Sequence, residues 1–242
     1  MKRVCITILL CSLLGIASCS KNSGSPSLPT ADQVLATYVK ALGGQDAIAK
    51  VNSRLTKGSI EMSGATGKVE NYAKAPSKYM SVTMIPEGTV REGFDGAAGW
   101  GIDPAGHMRD WTADEIALSS RTRNLHRDID LKSLYTNIAV VGQEAVEGRP
   151  AYVLELTPKA GKAEKMFFDA QTGLLIEHEY EVVGPQGPRP FRYLYDNYKE
   201  VDGVKLPFTI KRVKPSGYTV KIDEVQTNVA INDDQFKRPP TP

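Results

Sequence analysis

Residues 78–85 read K-Y-M-S-V-T-M-I and residues 176–183 read I-E-H-E-Y-E-V-V, and these two octapeptides decide the fold class. In the first, Met80, Val82 and Met84 share one face while Tyr79, Ser81 and Thr83 share the other. In the second, Ile176, His178, Tyr180 and Val182 oppose Glu177, Glu179 and Glu181. Period-two alternation is expected of a strand with one face covered and one facing water. Elsewhere in the chain, Asp95-Gly96, Glu147-Gly148 and Asp202-Gly203 fall between apolar runs and read as hairpin turns. Asp103-Pro104-Ala105-Gly106 is a further tight turn. Strand-like sequence begins near Leu55 and runs to about Ile231. Consecutive hairpins without a βαβ rhythm predict an α+β fold, an antiparallel sheet with helices on one side.

Helical signals bracket and interrupt that sheet. Thr30 and Gln33 have capping-box spacing, and Val34, Leu35, Tyr38, Val39 and Leu42 form an apolar stripe at helical period. Gly43-Gly44 ends this helix, and a second short one is expected over 45–51. Midway along the chain, Thr112 and Glu115 repeat the capping-box spacing. Ile116, Leu118, Leu125 and Ile129 then punctuate a polar stretch, which predicts one or two helices between Thr112 and Tyr135.

The N-terminus has a different character. Lys2 and Arg3 precede an apolar run, Val4 to Ile16, followed by the small residues Ala17 and Ser18 and then Cys19. The run is shorter than the about 20 residues needed to span a bilayer, and its layout is that of a secretory signal over 1–18. Residues 19–29 follow as a polar tether, and 30–242 as one domain able to bury roughly 70% of its unfolded surface. All three cysteines (Cys5, Cys11 and Cys19) lie at or before the junction, so disulfides, a cysteine nucleophile and cysteine-ligated zinc are excluded from the domain. The net charge of +2 resides in Lys2 and Arg3, leaving the rest near neutral. No concentrated basic surface marks a nucleic-acid partner; Lys159, Lys162 and Lys165 surround Gly161 in an expected solvated turn.

Two resemblances add to this reading. Ile16-Ala17-Ser18-Cys19 resembles the lipobox of bacterial lipoproteins, which implies acylation of Cys19. The following Ser20, where Asp would imply retention, implies an envelope location at the outer membrane, facing the periplasm. Residues 58–104 resemble the lipoprotein carrier LolA and its receptor LolB. The shared features are Lys74-Ala75-Pro76, an apolar strand running into Pro86, and Phe94-Asp95-Gly96 with Trp100 and Pro104 beyond. Phe168-Asp169 with Thr172-Gly173-Leu174, Val201-Asp202-Gly203 with Leu206-Pro207, and Asn232-Asp233 with Phe236 and Pro239 are similar to lipoprotein-sorting-like proteins of that superfamily. The resemblance implies a strongly curved, half-open barrel whose concave side is covered by helices, with an apolar cavity for an acyl chain, lipid or lipoprotein. The protein is expected to be a monomer without cofactor or metal.

The candidate lining is Met62, Met80, Val82, Met84, Trp100 and Ile102 from the sheet, with Ile116, Leu118 and Leu125 from the lid. Methionines suit such a lining because they adapt to variable guests. Periodicity alone leaves open which sheet face is concave. Ile85, beside Pro86-Glu87-Gly88, is the expected counterpart of the receptor's exposed, membrane-facing loop tip. The carrier's lid-tying arginine before Pro is here Ala75, so that lock does not carry over.

Catalytic motifs are not found in the sequence. His126-Arg127-Asp128 resembles a kinase trio, but Ser133 stands where its asparagine would be and no phosphate loop accompanies it. His107, His126 and His178 lack metal-ligand spacing. The Glu177, Glu179 and Glu181 row reads as a solvated strand face. The expected function is therefore non-enzymatic binding. Two other readings stay open: a structural or sensory envelope module gripping a protein partner, and a hydrolase built on carboxylates such as Asp95, Asp103 and Asp110.

Overall fold

The two octapeptides lie within strands β3 (Lys78–Ile85) and β10 (Leu175–Gly184) of a single antiparallel sheet. The computed structural model describes residues 27–240, so the signal segment, Cys19 and most of the tether lie outside the described residues. Helix α1 (Ala31–Ala41) begins at Thr30, where the capping box forms in full: the Thr30 hydroxyl accepts from Gln33 N–H and the Gln33 side chain accepts from Thr30 N–H. The chain then turns through Gly43 (φ 118°), pressed so closely on Gly203 that a Cβ would sit 2.0 Å from its carbonyl oxygen. Only glycine satisfies both demands. A short helix α2 (Gln45–Ala49) follows.

Six strands then run as a meander, β1 (Ser53–Met62), β2 (Ala65–Lys74), β3, β4 (Gly88–Phe94), β5 (Gly99–Ile102) and β6 (Met108–Asp110). Helix α3 (Ala113–Thr122) starts at the second capping box, Thr112 with Glu115, and α4 (Arg127–Leu134) completes the helical interruption. The second meander comprises β7 (Tyr135–Val146), β8 (Arg149–Pro158), β9 (Glu164–Asp169), β10, β11 (Gly187–Val201), β12 (Val204–Lys214) and β13 (Tyr218–Thr227). Glu147-Gly148 and Asp202-Gly203 turn two of these hairpins with both residues at positive φ, the geometry that matches strand twist. Because β13 returns to pair with β1, all 13 strands form one sheet, ordered β6 to β1 and then β13 to β7. Strands β6 and β7 are its two unpaired ends, so the sheet is curved but not closed.

The helices cover one face. Val34, Leu35 and Leu42 of the first helical segment, Ile48 of α2 and Leu131 of α4 pack on Leu154, Leu156, Met166, Phe168 and Leu175, all buried. Each such side chain contributes about 1.5–3 kcal/mol on leaving water. Alternation sends Val153, Phe167 and Leu194 into a second buried cluster on the opposite face, with Val146, Ala151 and Ile176. There Glu177 is not solvated as its row suggests: it is 1% exposed and takes two 2.7 Å bonds from Arg192.

Which face of β3 points inward is the main correction. Tyr79, Ser81, Thr83 and Ile85 line the interior, and Met80, Val82 and Met84 point outward, in register with Gly93, Arg91 and Thr89. Trp100 and Ile102 share that outer face through their pairing with Gly93 and Arg91. The reason is a second cover. The C-terminal segment crosses the outside of β3 and β4, burying Phe236 completely, and the Trp100 indole donates to the Phe236 carbonyl at 3.1 Å. Lys74 and Lys78 clamp the same segment through Asp233. Around Trp100 and Phe236 the apolar face therefore meets protein, although Met84 on the same face stays exposed, while the more polar face meets the cavity.

Candidate functional site

Between the inner sheet face and the helices lies a cavity of about 890 Å³. Alternate residues project into it: Arg54, Thr56, Ile60 and Met62 from β1; Val69, Asn71 and Ala73 from β2; His178, Tyr180 and Val182 from β10. Its two ends differ. At the end plugged by α1 and α4 it is walled by Tyr38, Arg54, Tyr79, Arg127, Asp128 and Tyr195. Toward the β3–β4 and β10–β11 hairpins it is walled by Met62, Ile85, Val90 and Val182.

Of the residues expected from sequence, Met62, Leu118 and Leu125 line this cavity. Met80, Val82, Met84, Trp100 and Ile102 lie on the other sheet face, and Ile116 is half-buried on α3 outside the lining set. Ile85 is not an exposed tip: it keeps the inward register of Tyr79, Ser81 and Thr83, and its Cγ2 would be 2.9 Å from a Cβ on Gly67. The exposed tip residues are Pro86 and Glu87.

The cavity wall is richer in charge and aromatic rings than the sequence reading anticipated. Tyr180 stacks with Phe191 at 5.4 Å and with Tyr193 at 5.9 Å, forming a continuous aromatic panel on β10 and β11. The Arg123 guanidinium lies 3.7 Å from the Tyr79 ring centroid, and an Arg123 nitrogen lies 3.7 Å from Glu92. At the plugged end, Asp128 accepts from the Tyr38 hydroxyl at 2.9 Å and from Arg127 at 3.2 Å. Burial, and then the Asp128 charge, push Tyr38 well above the usual phenol range. Arg54 faces the same space, and among the described residues its guanidinium has neither hydrogen bond nor ion pair. Burial lowers its pKa, with Asp128 pulling the other way.

Beside the cavity, α3 is tied to the sheet by a buried polar cluster. Glu164, 1% exposed, accepts from Arg121 Nη2 at 2.6 Å, from the Tyr135 hydroxyl at 2.7 Å and from His178 Nε2 at 2.9 Å. Burial would raise the Glu164 carboxyl, but the bonds from His178 and Arg121 outweigh it and hold it down to about 2. Burial lowers His178, so the ring is neutral and donates its Nε2 proton to Glu164. His178 is thus a satisfied buried histidine. His107 binds Asp103, and His126 binds the Val51 carbonyl.

The three carboxylates considered for hydrolysis do not come together. Asp95 accepts from Ala97 and Ala98 in its own turn, Asp103 holds His107, and Asp110 pairs with Arg238, all outside the cavity lining. Among the described residues no cluster of three His, Cys, Asp or Glu is placed to hold a metal, and no helix is long and apolar enough to cross a membrane.

Arg54, Arg123 and Glu164 escaped the sequence reading because their partners (Tyr79 and Glu92 for Arg123; Arg121, Tyr135 and His178 for Glu164) lie far away in the chain. The only local signal was the His126-Arg127-Asp128 trio, where the Arg127–Asp128 pair faces the cavity rather than serving a phosphate site.

No protein-family model matches the chain, and no curated protein matches it by sequence. Solved structures do resemble it. A DUF1329 family protein from Desulfovibrio piger superposes with a TM-score of 0.53 at 15% identity, over 85% of this chain and 96% of that one. A LolA superfamily protein from Nitrosomonas europaea superposes with a TM-score of 0.53 at 14% identity, over 87% of this chain and 99% of that one. An unclosed curved sheet of this order, with helices over its concave face, is a LolA-like fold.

Proposed function

We propose that this protein is a lipid-anchored envelope lipoprotein that binds an acyl chain or lipid in the concave cavity. The observation that carries the reading is the cavity itself, about 890 Å³ between sheet and helices, within the range of roughly 300–1,000 Å³ typical of small-molecule sites. An alkyl chain entering it gains about 0.8 kcal/mol per buried CH₂, and Ile60, Met62, Ile85, Val90 and Val182 supply apolar surface for it. The fold likeness to a LolA superfamily protein is consistent with this use. Anchoring would run through Cys19, acylated after cleavage of residues 1–18, with 19–29 as tether and the outer membrane as destination.

Native mass spectrometry of residues 30–242 purified without detergent tests the cavity. Co-purifying acyl ligand, or uptake of added palmitate at one per chain, is the expected result. A clean mass that refuses fatty acid and phospholipid alike would overturn it. Anchoring is tested separately by metabolic palmitate labelling of the full chain, with loss of label in Cys19→Ser.

A further inference from the structure

Resting on that reading, we infer that the preferred ligand is an anionic single-chain amphiphile bound head-inward, its carboxylate or phosphate held among Arg54, Arg123 and Arg127 at the helix-plugged end of the cavity. Seven lining side chains are cationic and three are acidic, although the whole chain is only +2. The excess is not evenly available. Toward the hairpin end the cations are occupied: Arg109 by Glu115 through two bonds of 2.8 and 2.7 Å, Arg189 by Gln186, and Arg212 by Ser216. Another, Lys205, is exposed to solvent. At the plugged end Arg127 has Asp128 and Arg123 has a long contact to Glu92, but the half-buried Arg54 has no partner among the described residues.

The placement of Arg54 follows from strand register. Arg54 pairs with Ala73, and Ala73 with Tyr79, so Arg54 and Tyr79 lie on the same face two strands apart. Tyr79 carries the Arg123 guanidinium on its ring. Arg54 is half-buried and faces the open cavity; a partly desolvated cation without a counter-charge is costly to a fold, and an anion arriving in the cavity would reduce that cost. Guanidinium matches carboxylate and phosphate by two parallel bonds. From that anchor an alkyl chain runs along Ile60, Ile85 and Val90 toward the hairpins, leaving the apolar end of the cavity for the tail.

Palmitate, lysophosphatidic acid and uncharged monopalmitoylglycerol, titrated into residues 30–242, test this together with Arg54→Met. Both anionic probes should bind at least about tenfold more tightly than the neutral ester, as expected for a charge-assisted bond. Arg54→Met should erase that preference while leaving the melting temperature unchanged or raised, since Arg54 makes no hydrogen bond or ion pair among the described residues that the substitution could break. Palmitate labelled with ¹³C at its carboxyl adds a readout that packing alone does not move. Its resonance should titrate well below the range of free fatty acid in the wild type and return toward it in Arg54→Met. Equal affinity for anionic and neutral probes, or a carboxyl that titrates as in water, would overturn head-inward binding and leave the cavity reading standing. Failure of all three probes to bind would overturn both. Preference for phosphate over carboxylate, or the reverse, identifies the head group and supports the inference either way.

Discussion

Replacing Arg121 with methionine should destabilise this protein more than almost any other single charge removal, and the structure states why. Arg121 supplies two of the bonds to Glu164 Oε1, at 3.1 and 2.6 Å, and reaches the Ala117 and Ala160 carbonyls as well. Removing it leaves a carboxylate 1% exposed to solvent with only neutral donors, Tyr135 and His178. Breaking one side of a buried ion pair costs about 3–5 kcal/mol, which at roughly 2–4 °C per kcal/mol for a domain of this size lowers Tm by about 10 °C. The acid limb gives an independent magnitude. The folded Glu164 pKa of about 2 lies below its ordinary value of 4.5, so its contribution is complete above the unfolded pKa and is lost as pH falls toward 2. The difference corresponds to about 3 kcal/mol. Urea unfolding of the tether-free domain, followed by circular dichroism at intervals from pH 7 to 3, reads both quantities. Glu164→Gln should flatten the slope below pH 4.5, and the Arg121→Met/Glu164→Gln double variant should recover most of the single Arg121 loss by coupling. An Arg121→Met cost below about 1 kcal/mol, the value of an exposed pair, or an unchanged acid slope in Glu164→Gln, would refute the claim that this cluster bears on stability.

Three further outcomes follow from packing. Phe236→Ala, which empties a fully buried site under the C-terminal segment, should cost about 3–5 kcal/mol in chemical denaturation and raise Trp100 fluorescence quenching by iodide. Gly43→Ala, at φ 118° with Gly203 O in the way, should cost about 2 kcal/mol or more in the same assay. Thr83→Phe, on the inner face of β3, should block palmitate uptake in native mass spectrometry, whereas Met84→Ser, on the outer face and 39% exposed, should leave uptake intact; the opposite pattern would reverse the assignment of faces.

What the sequence determined by itself was local in origin. Both capping boxes, Thr30 with Gln33 and Thr112 with Glu115, form as their spacing requires because the bonds close within one helical turn. The Glu147-Gly148 and Asp202-Gly203 hairpins, and the strand character of 78–85 and 176–183, are equally local. Together with the order of motifs along the chain, they make the antiparallel, helix-covered, LolA-like architecture legible in the sequence. The identity of the two sheet faces, by contrast, is settled by contacts between distant parts of the chain. Alternation marks two faces of β3, but apolarity selects whichever is covered by protein, and the cover over Met80 and Trp100 comes from Phe236, far along the chain. The face turned to the cavity can remain polar because it borders open space rather than packed protein. For the same reason Arg54, Arg123 and the Glu164 cluster carry no local signature: their chemistry arises from the pairing of β1 with β2 and β2 with β3 and from helices laid across β10 and β7, contacts that no short window of sequence contains.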